Sequence, residues 1–214
     1  MHTFQTPEPI AVDIAVNCGD VFVTASDRTD TVVQVRPTDP DRKDDVRAAE
    51  QVRIDYAAGK LTVHEPSGWQ TLLRRGGRTS IQVTIDVPAG SRLSGRVAAG
   101  RVLGTGEFGD CDLKVAAGDI TVERPRGSVK AKTDMGSIRI GEAARGVLEL
   151  ETSMGTVEVG IRPGSAARLK TKALCGTVQN LMEAVEKPQR EEDVVQVNVR
   201  NSFGSVVVQH ATAA

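Results

Sequence analysis

The residues able to do chemistry are few, and their spacing limits what that chemistry could be. Gly104, Gly106 and Gly109 in GTGEFG match the G-x-G-x-x-G pattern, which holds a pyrophosphate when it follows a buried strand and opens a helix. Here DCDLKV, another alternating segment, comes next. The glycines therefore read as a turn at a junction between strands, and no cofactor is expected. His2, His64 and His210 form no H-x-x-x-H pair and join no cysteine, whereas a metal site needs three or four convergent ligands; no metal is expected, and His64 reads as a surface residue. No G-x-S-x-G elbow offers a serine nucleophile. Cys18, Cys111 and Cys175 are an odd number without a C-x-x-C pair, which argues against a disulfide framework and a zinc site. Cys18 and Cys175 read as small core residues in a buried corner.

Charged residues offer more, once the chain is cut at a recurring glycine. Six residues before it stand Asp13, Arg53, Ser94, Asp112, Lys130, Glu149, Lys170 and Asn198. Signs alternate from Asp112 to Lys170, the pattern of cross-strand pairs worth a few tenths to ~1 kcal/mol each. An alternative makes Glu149 and Glu151 an acid/base pair of a polysaccharide lyase- or hydrolase-like β-helix. Four residues before the glycine, Arg96, Lys114, Lys132, Lys172 and Arg200 make a mostly basic column interrupted by Glu151. This is a candidate anion-binding face, without interleaved aromatics for base stacking or sugar packing.

A second candidate is EPSGWQTLLRRGGRT, from Glu65 to Thr79, which interrupts the alternation between Val63 and Ile81. Trp69, Leu72, Leu73, Arg74, Arg75 and Arg78 are its candidate partner-binding residues, because loops on rigid scaffolds carry recognition and Trp and Arg are enriched at interface hot spots. In the alternative reading Trp69 and the two leucines fold back as cover.

The elements that must position these residues repeat. LKVAAGDITV, AKTDMGSIRI and LETSMGTVEV place Gly118, Gly136 and Gly155 at 18- and 19-residue intervals, and similar phrases centre on Gly19, Gly59, Gly100, Gly176 and Gly204. Seven residues before each glycine stand Val12, Val52, Leu93, Cys111, Val129, Leu148, Leu169 and Val197, all apolar; Val, Leu or Ile always follows two residues after it. The residue immediately before it is Cys18, Ala58, Ala99, Ala117, Met135, Met154, Cys175 or Phe203. None is charged, so burial in the corner is expected there. Inward parity is odd before the glycine and even after it, as a bulged corner requires. Each phrase is then one bent rung that buries its inner face only by stacking on others.

The reading is an all-β fold, a β-solenoid or β-helix of about eight rungs with glycine at the corners; a β-sandwich of consecutive hairpins is the alternative. Aromatic content of 3% and 21 glycines agree with a Val/Ile/Leu core and many turns. Residues 1–214 read as one domain. Turns are wider over 1–92, where TVVQV (31–35) and IQVTIDV (81–87) look like an extra side, and regular over 93–208 apart from an inserted loop at 181–193. DPDRKDDVRAAEQV (39–52) reads either as a short helix entered through Asp39-Pro40 or as a solvated charged loop.

These GxVxV and GxIxI units, with IQVTIDVPAGSRL, resemble the bacterial putative-adhesin family of β-strand-repeat proteins, a domain of unknown function. The resemblance spans most of residues 10–208 and implies a β-helix-like fold and a bacterial source. Together these readings predict a non-catalytic binding or scaffold module, not an enzyme. Another protein is the expected partner, with an anionic polymer second. The net charge of −1 supplies no global attraction to nucleic acid. Absence of a basic-then-apolar leader and of a ~20-residue apolar run predicts a cytoplasmic protein without a membrane span.

Overall fold

The structure, a computed structural model, describes residues 1–66, 79–182 and 194–211. In chain order it forms β1 (His2–Gln5), β2 (Ala11–Ser26), β3 (Asp30–Pro37), helix α1 (Lys43–Gln51), β4 (Arg53–Ala57), β5 (Lys60–His64) and β6 (Ile81–Pro88). Then come strand pairs: β7 (Arg92–Ala99) and β8 (Val102–Phe108), β9 (Cys111–Ala117) and β10 (Ile120–Pro125), β11 (Val129–Met135) and β12 (Ile138–Ala143). The last are β13 (Gly146–Met154) and β14 (Val157–Ile161), β15 (Ala166–Cys175) and β16 (Val178–Asn180), β17 (Val194–Phe203) and β18 (Val206–His210).

Alternation builds the rung. In β2 the side chains of Val12, Ile14 and Val16 are buried before Gly19, and those of Val21, Val23 and Ala25 after it. The first half pairs with β7 and the second with β8, so one strand crosses from a first sheet into a second with the core between them. The neighbouring pairs repeat this in parallel register, for example Val129 beside Leu148 and Ile138 beside Val157. Parallel ladders are incompatible with consecutive hairpins, which pair antiparallel. The fold is therefore a two-sheet β-solenoid, and its buried residues from Ile10 to Val208 form one cluster.

Eight layers stack, but not in chain order. From one end they are β5/β6, β2, β7/β8, β9/β10, β11/β12, β13/β14, β17/β18 and β15/β16. Thus β2 is inserted above a layer made later in the chain, and the last rung lies inside the stack with β15/β16 outside it.

At the corners the glycines form a column. A Cβ on Gly136 would stand 2.0 Å from the carbonyl oxygen of Gly118, and one on Gly155 would stand 2.0 Å from that of Gly136. The same relation links Gly100 to Gly19, Gly204 to Gly155 and Gly176 to Gly204. Gly59 is not in this column. At φ 73° it forms, with Ala58 (φ 49°), the two-residue turn of the β4–β5 hairpin, where positive φ at both positions gives the twist that hairpins favour.

The early segments do not add a side to the turns. β3 lies antiparallel on β6, β1 antiparallel on β3, and β4 antiparallel on β5, so they close one end of the stack. Helix α1 packs over β3 and β6 there with Ala48 buried, and the Asp45 carboxylate accepts hydrogen bonds from the backbone N–H groups of Asp39 and Ser80. The inserted loop expected at 181–193 lies, from residue 183 on, outside the described residues.

Two expectations need correction. Gly104 and Gly106 lie within β8: Gly104 leaves room for the buried Phe108 ring, to which an added Cβ would approach 3.1 Å, and the next segment is a strand. The residue before the corner glycine, expected inside, points outward. Met135, Met154 and Phe203 are 59%, 55% and 56% exposed, Cys175 is exposed and Cys18 half-buried. Pairing passes from Thr133 to Met135 without Asp134, so the extra residue sits two before the glycine and turns the next side chain away from the core.

Position three before the glycine carries a signal that the alternation alone hides. It is valine in β2, β7 and β9, but Thr133, Thr152 and Asn201 in the next three layers, all buried. Thr133 Oγ1 donates to the Gly118 carbonyl, Thr152 Oγ1 to that of Gly136 and Asn201 Nδ2 to that of Gly155. Each polar side chain satisfies a corner carbonyl that faces inward.

Gly136→Ala is expected to destabilise the protein by at least ~3 kcal/mol, because φ of 145° and the Gly118 carbonyl both exclude a Cβ. Gly164→Ala, also at positive φ but with nothing within 4 Å of the added carbon, should cost only about 1 kcal/mol. Urea unfolding of the two variants checks this; equal losses would remove the corner column as the cause.

Candidate anion-binding face

Outward positions on the first sheet assemble the basic residues. Arg96 stands beside Lys114, Lys114 beside Lys132, Lys132 beside Glu151, Glu151 beside Arg200 and Arg200 beside Lys172. At the ~4.8 Å spacing of paired strands these six layers make a line of about 24 Å. Insertion of β17 sets the order Arg200 then Lys172, the reverse of the chain.

Charge within the line is only partly neutralised. Lys132 Nζ binds Glu151 Oε1 at 2.7 Å, and this hydrogen bond and charge push the Lys132 pKa upward. Among the described residues Arg96, Lys114, Arg200 and Lys172 have no ion-pair partner. The column two residues earlier reads Asp112, Lys130, Glu149, Asn198 and Lys170, with Lys130 and Glu149 3.8 Å apart. Asn198 breaks the alternation of signs expected from chain order. Glu149 and Glu151 each face a lysine on an exposed surface, as members of a charge ladder.

The surface here is hollowed by three adjoining depressions. The first, about 380 Å³, is lined by Lys114, Lys130, Lys132, Lys170, Lys172 and Arg200 together with Glu149 and Glu151. The second runs past Arg96 and Lys114 to Lys132 and Asp134, and the third past His64, Ser94, Arg96 and Asp112. Lys114 lines all three. At the strip's other end Asp13 binds Lys60 at 2.7 Å, with His64 at 3.8 Å; the Lys60 hydrogen bond holds the Asp13 carboxyl below its usual range. Lys130 and Lys170 join the candidate face from the outward column two residues earlier in the same strands.

Trp69, Leu72, Leu73, Arg74, Arg75 and Arg78 lie outside the described residues. Glu65, where that segment begins, accepts a 2.8 Å hydrogen bond from the Asn17 backbone and lines the second depression.

Cysteine chemistry is confined to the surface. Burial pushes the Cys111 thiol up to about 12, so it stays protonated and unreactive at neutral pH. Cys175, read from sequence as a core residue, is exposed. Among the described residues no group of three or more His, Cys, Asp or Glu could hold a metal, and no helix is long and apolar enough to cross a membrane.

No family model and no curated protein matches the chain in sequence. Among solved structures it is similar to a putative cell adhesion protein from Clostridium sporogenes ATCC 15579, over 98% of both chains, at 11% identity and a TM-score of 0.53. A putative adhesin from Bacteroides fragilis NCTC 9343 aligns over 97% of this chain and 95% of its own, at 13% identity and a TM-score of 0.49. The first likeness shows a shared fold.

Thiol exposure gives a direct check on this geometry. Maleimide at neutral pH should label native protein rapidly at Cys175, more slowly at Cys18 and at Cys111 only after unfolding, as read by peptide mass spectrometry. Labelling of Cys111 in the native state would contradict its placement in the core.

Proposed function

We propose that this protein is a non-catalytic binding module, one domain over residues 1–214, that holds an extended anionic partner along the outer face of its first sheet. The carrying observation is the six-layer line from Arg96 to Lys172, with four cations that have no ion-pair partner among the described residues and one paired one, over a hollowed surface. A regular ladder repeats its charge at one spacing, which suits a linear ligand better than a compact one. The adhesion-related name of the structural neighbour from Clostridium sporogenes agrees with a binding role. We infer that Trp69 and Arg74, Arg75 and Arg78 add a second contact, because Glu65 ties the start of their segment to the same strip.

Heparin is a suitable probe of the line. Affinity should fall steeply with salt, since exposed charges are screened within ~10 Å at 0.1 M. Lys114→Glu combined with Arg200→Glu should weaken binding at least about tenfold, because like charges replace attractive ones. Arg139→Glu, on the second sheet, should leave it unchanged. Equal effects of both changes, or no salt-dependent binding, would overturn the assignment of this face.

A further inference from the structure

Met135, Met154 and Phe203 stand beside one another on three consecutive layers, at the outer corner where the first sheet turns into the second. All three are more than half exposed; Cys175 continues the line on the next layer, and Leu174 beside it is 82% exposed. Their side chains lie outside the core cluster, which contains Val129, Leu148 and Val197 of the same strands. Single exposed apolar residues need no explanation, but a contiguous line of large ones marks a contact surface.

Its flanks define the chemistry of what it meets. On the second-sheet side run Ser137, Thr156, Ser205 and Thr177, uncharged hydroxyls. On the first-sheet side, three residues and about 10 Å away along each strand, stand Lys132, Arg200 and Lys172. Acids nearby are Glu151, already bound by Lys132, Asp134, and Asp119, which accepts a hydrogen bond from the Ser137 N–H. A second copy is a poor occupant: a two-fold axis at the corner would bring the same cationic columns toward each other. None of the three depressions is lined by Met135, Met154 or Phe203, and a fluid interface moulds to an outer corner without needing one.

We propose that this corner is an edge for contact with an anionic lipid bilayer, in which Met135, Met154 and Phe203 enter the boundary between headgroups and acyl chains while Lys132, Arg200 and Lys172 engage lipid phosphates. Apolar insertion and attraction to anionic lipid act together in such surface binding. This inference rests on the reading of the first sheet as an anion-binding face and adds a lipid surface to the anions that this face meets.

The test uses the full chain with vesicles of phosphatidylcholine containing phosphatidylglycerol, and with phosphatidylcholine alone. Co-sedimentation is expected with the first and not the second. Met154→Ser with Phe203→Ser should weaken it at least about tenfold and leave heparin affinity unchanged. A polarity-sensitive dye on Cys175, in a Cys18→Ser background, should shift to the blue on anionic vesicles. Heparin binding without vesicle binding overturns the lipid edge and leaves the anionic-partner reading standing; loss of both in the unaltered protein overturns both. Vesicle binding that survives the serine substitutions without a dye shift overturns the insertion of the corner.

Discussion

The solenoid depends on one close approach: at each corner from Gly100 onward the space a side chain would fill is occupied by the carbonyl oxygen of the glycine one layer below, and at Gly19 by that of Ile81. Gly118, Gly136 and Gly155 also donate their N–H groups to the carbonyls of Met135, Met154 and Phe203 in the layer above. Corner glycines are thus bound on one side and sterically matched on the other. A slip of one residue would put a Cβ against a carbonyl and turn every inward side chain outward. Register is therefore set at the corner, and the two sheets inherit it.

Exact register has a cost that shapes the surface. It stacks identical positions at strand spacing, so a residue type repeated along the chain becomes a line of like side chains. Inside, this gives columns of Val, Ile and Leu that bury each other. Outside, it gives a cationic line relieved once by Glu151, and at the corner an apolar line. A soluble surface ordinarily interrupts both kinds of line, and this chain does so elsewhere with Asn198, Asp112 and the Arg139–Glu158 pair. Binding is proposed where a line of like side chains is left least interrupted.

Much of the core was legible in the sequence because burial follows strict alternation: Val157, Ile138 and Ile120 occupy the inward positions the pattern assigns them. The basic residues were legible for the same reason, as outward positions of the same strands. Their order was not, because neighbours in parallel stacking are chosen by which strand edge is free, and β17/β18 took the edge of β13/β14. Gly59 misled because a hairpin turn and a solenoid corner ask for the same permissive backbone. Met135, Met154 and Phe203 misled because their apolar type looked like core, while the skipped residue that turns them outward leaves no mark in composition. Trp69 and its neighbours lie outside the described residues.

The layer order that the glycine column implies can be read from a single cross-linking experiment. Cys175 is the direct partner of Phe203 in the neighbouring strand, whereas Met154 lies two layers away from it, roughly 9.6 Å at normal strand spacing and beyond the ~7 Å that a disulfide can span. On mild oxidation followed by non-reducing peptide mass spectrometry, Phe203→Cys should bridge to Cys175 and Met154→Cys should not. Stacking in chain order would place the Gly155 and Gly176 rungs side by side. A bridge from Met154→Cys to Cys175 would contradict the account, whether or not Phe203→Cys also forms one.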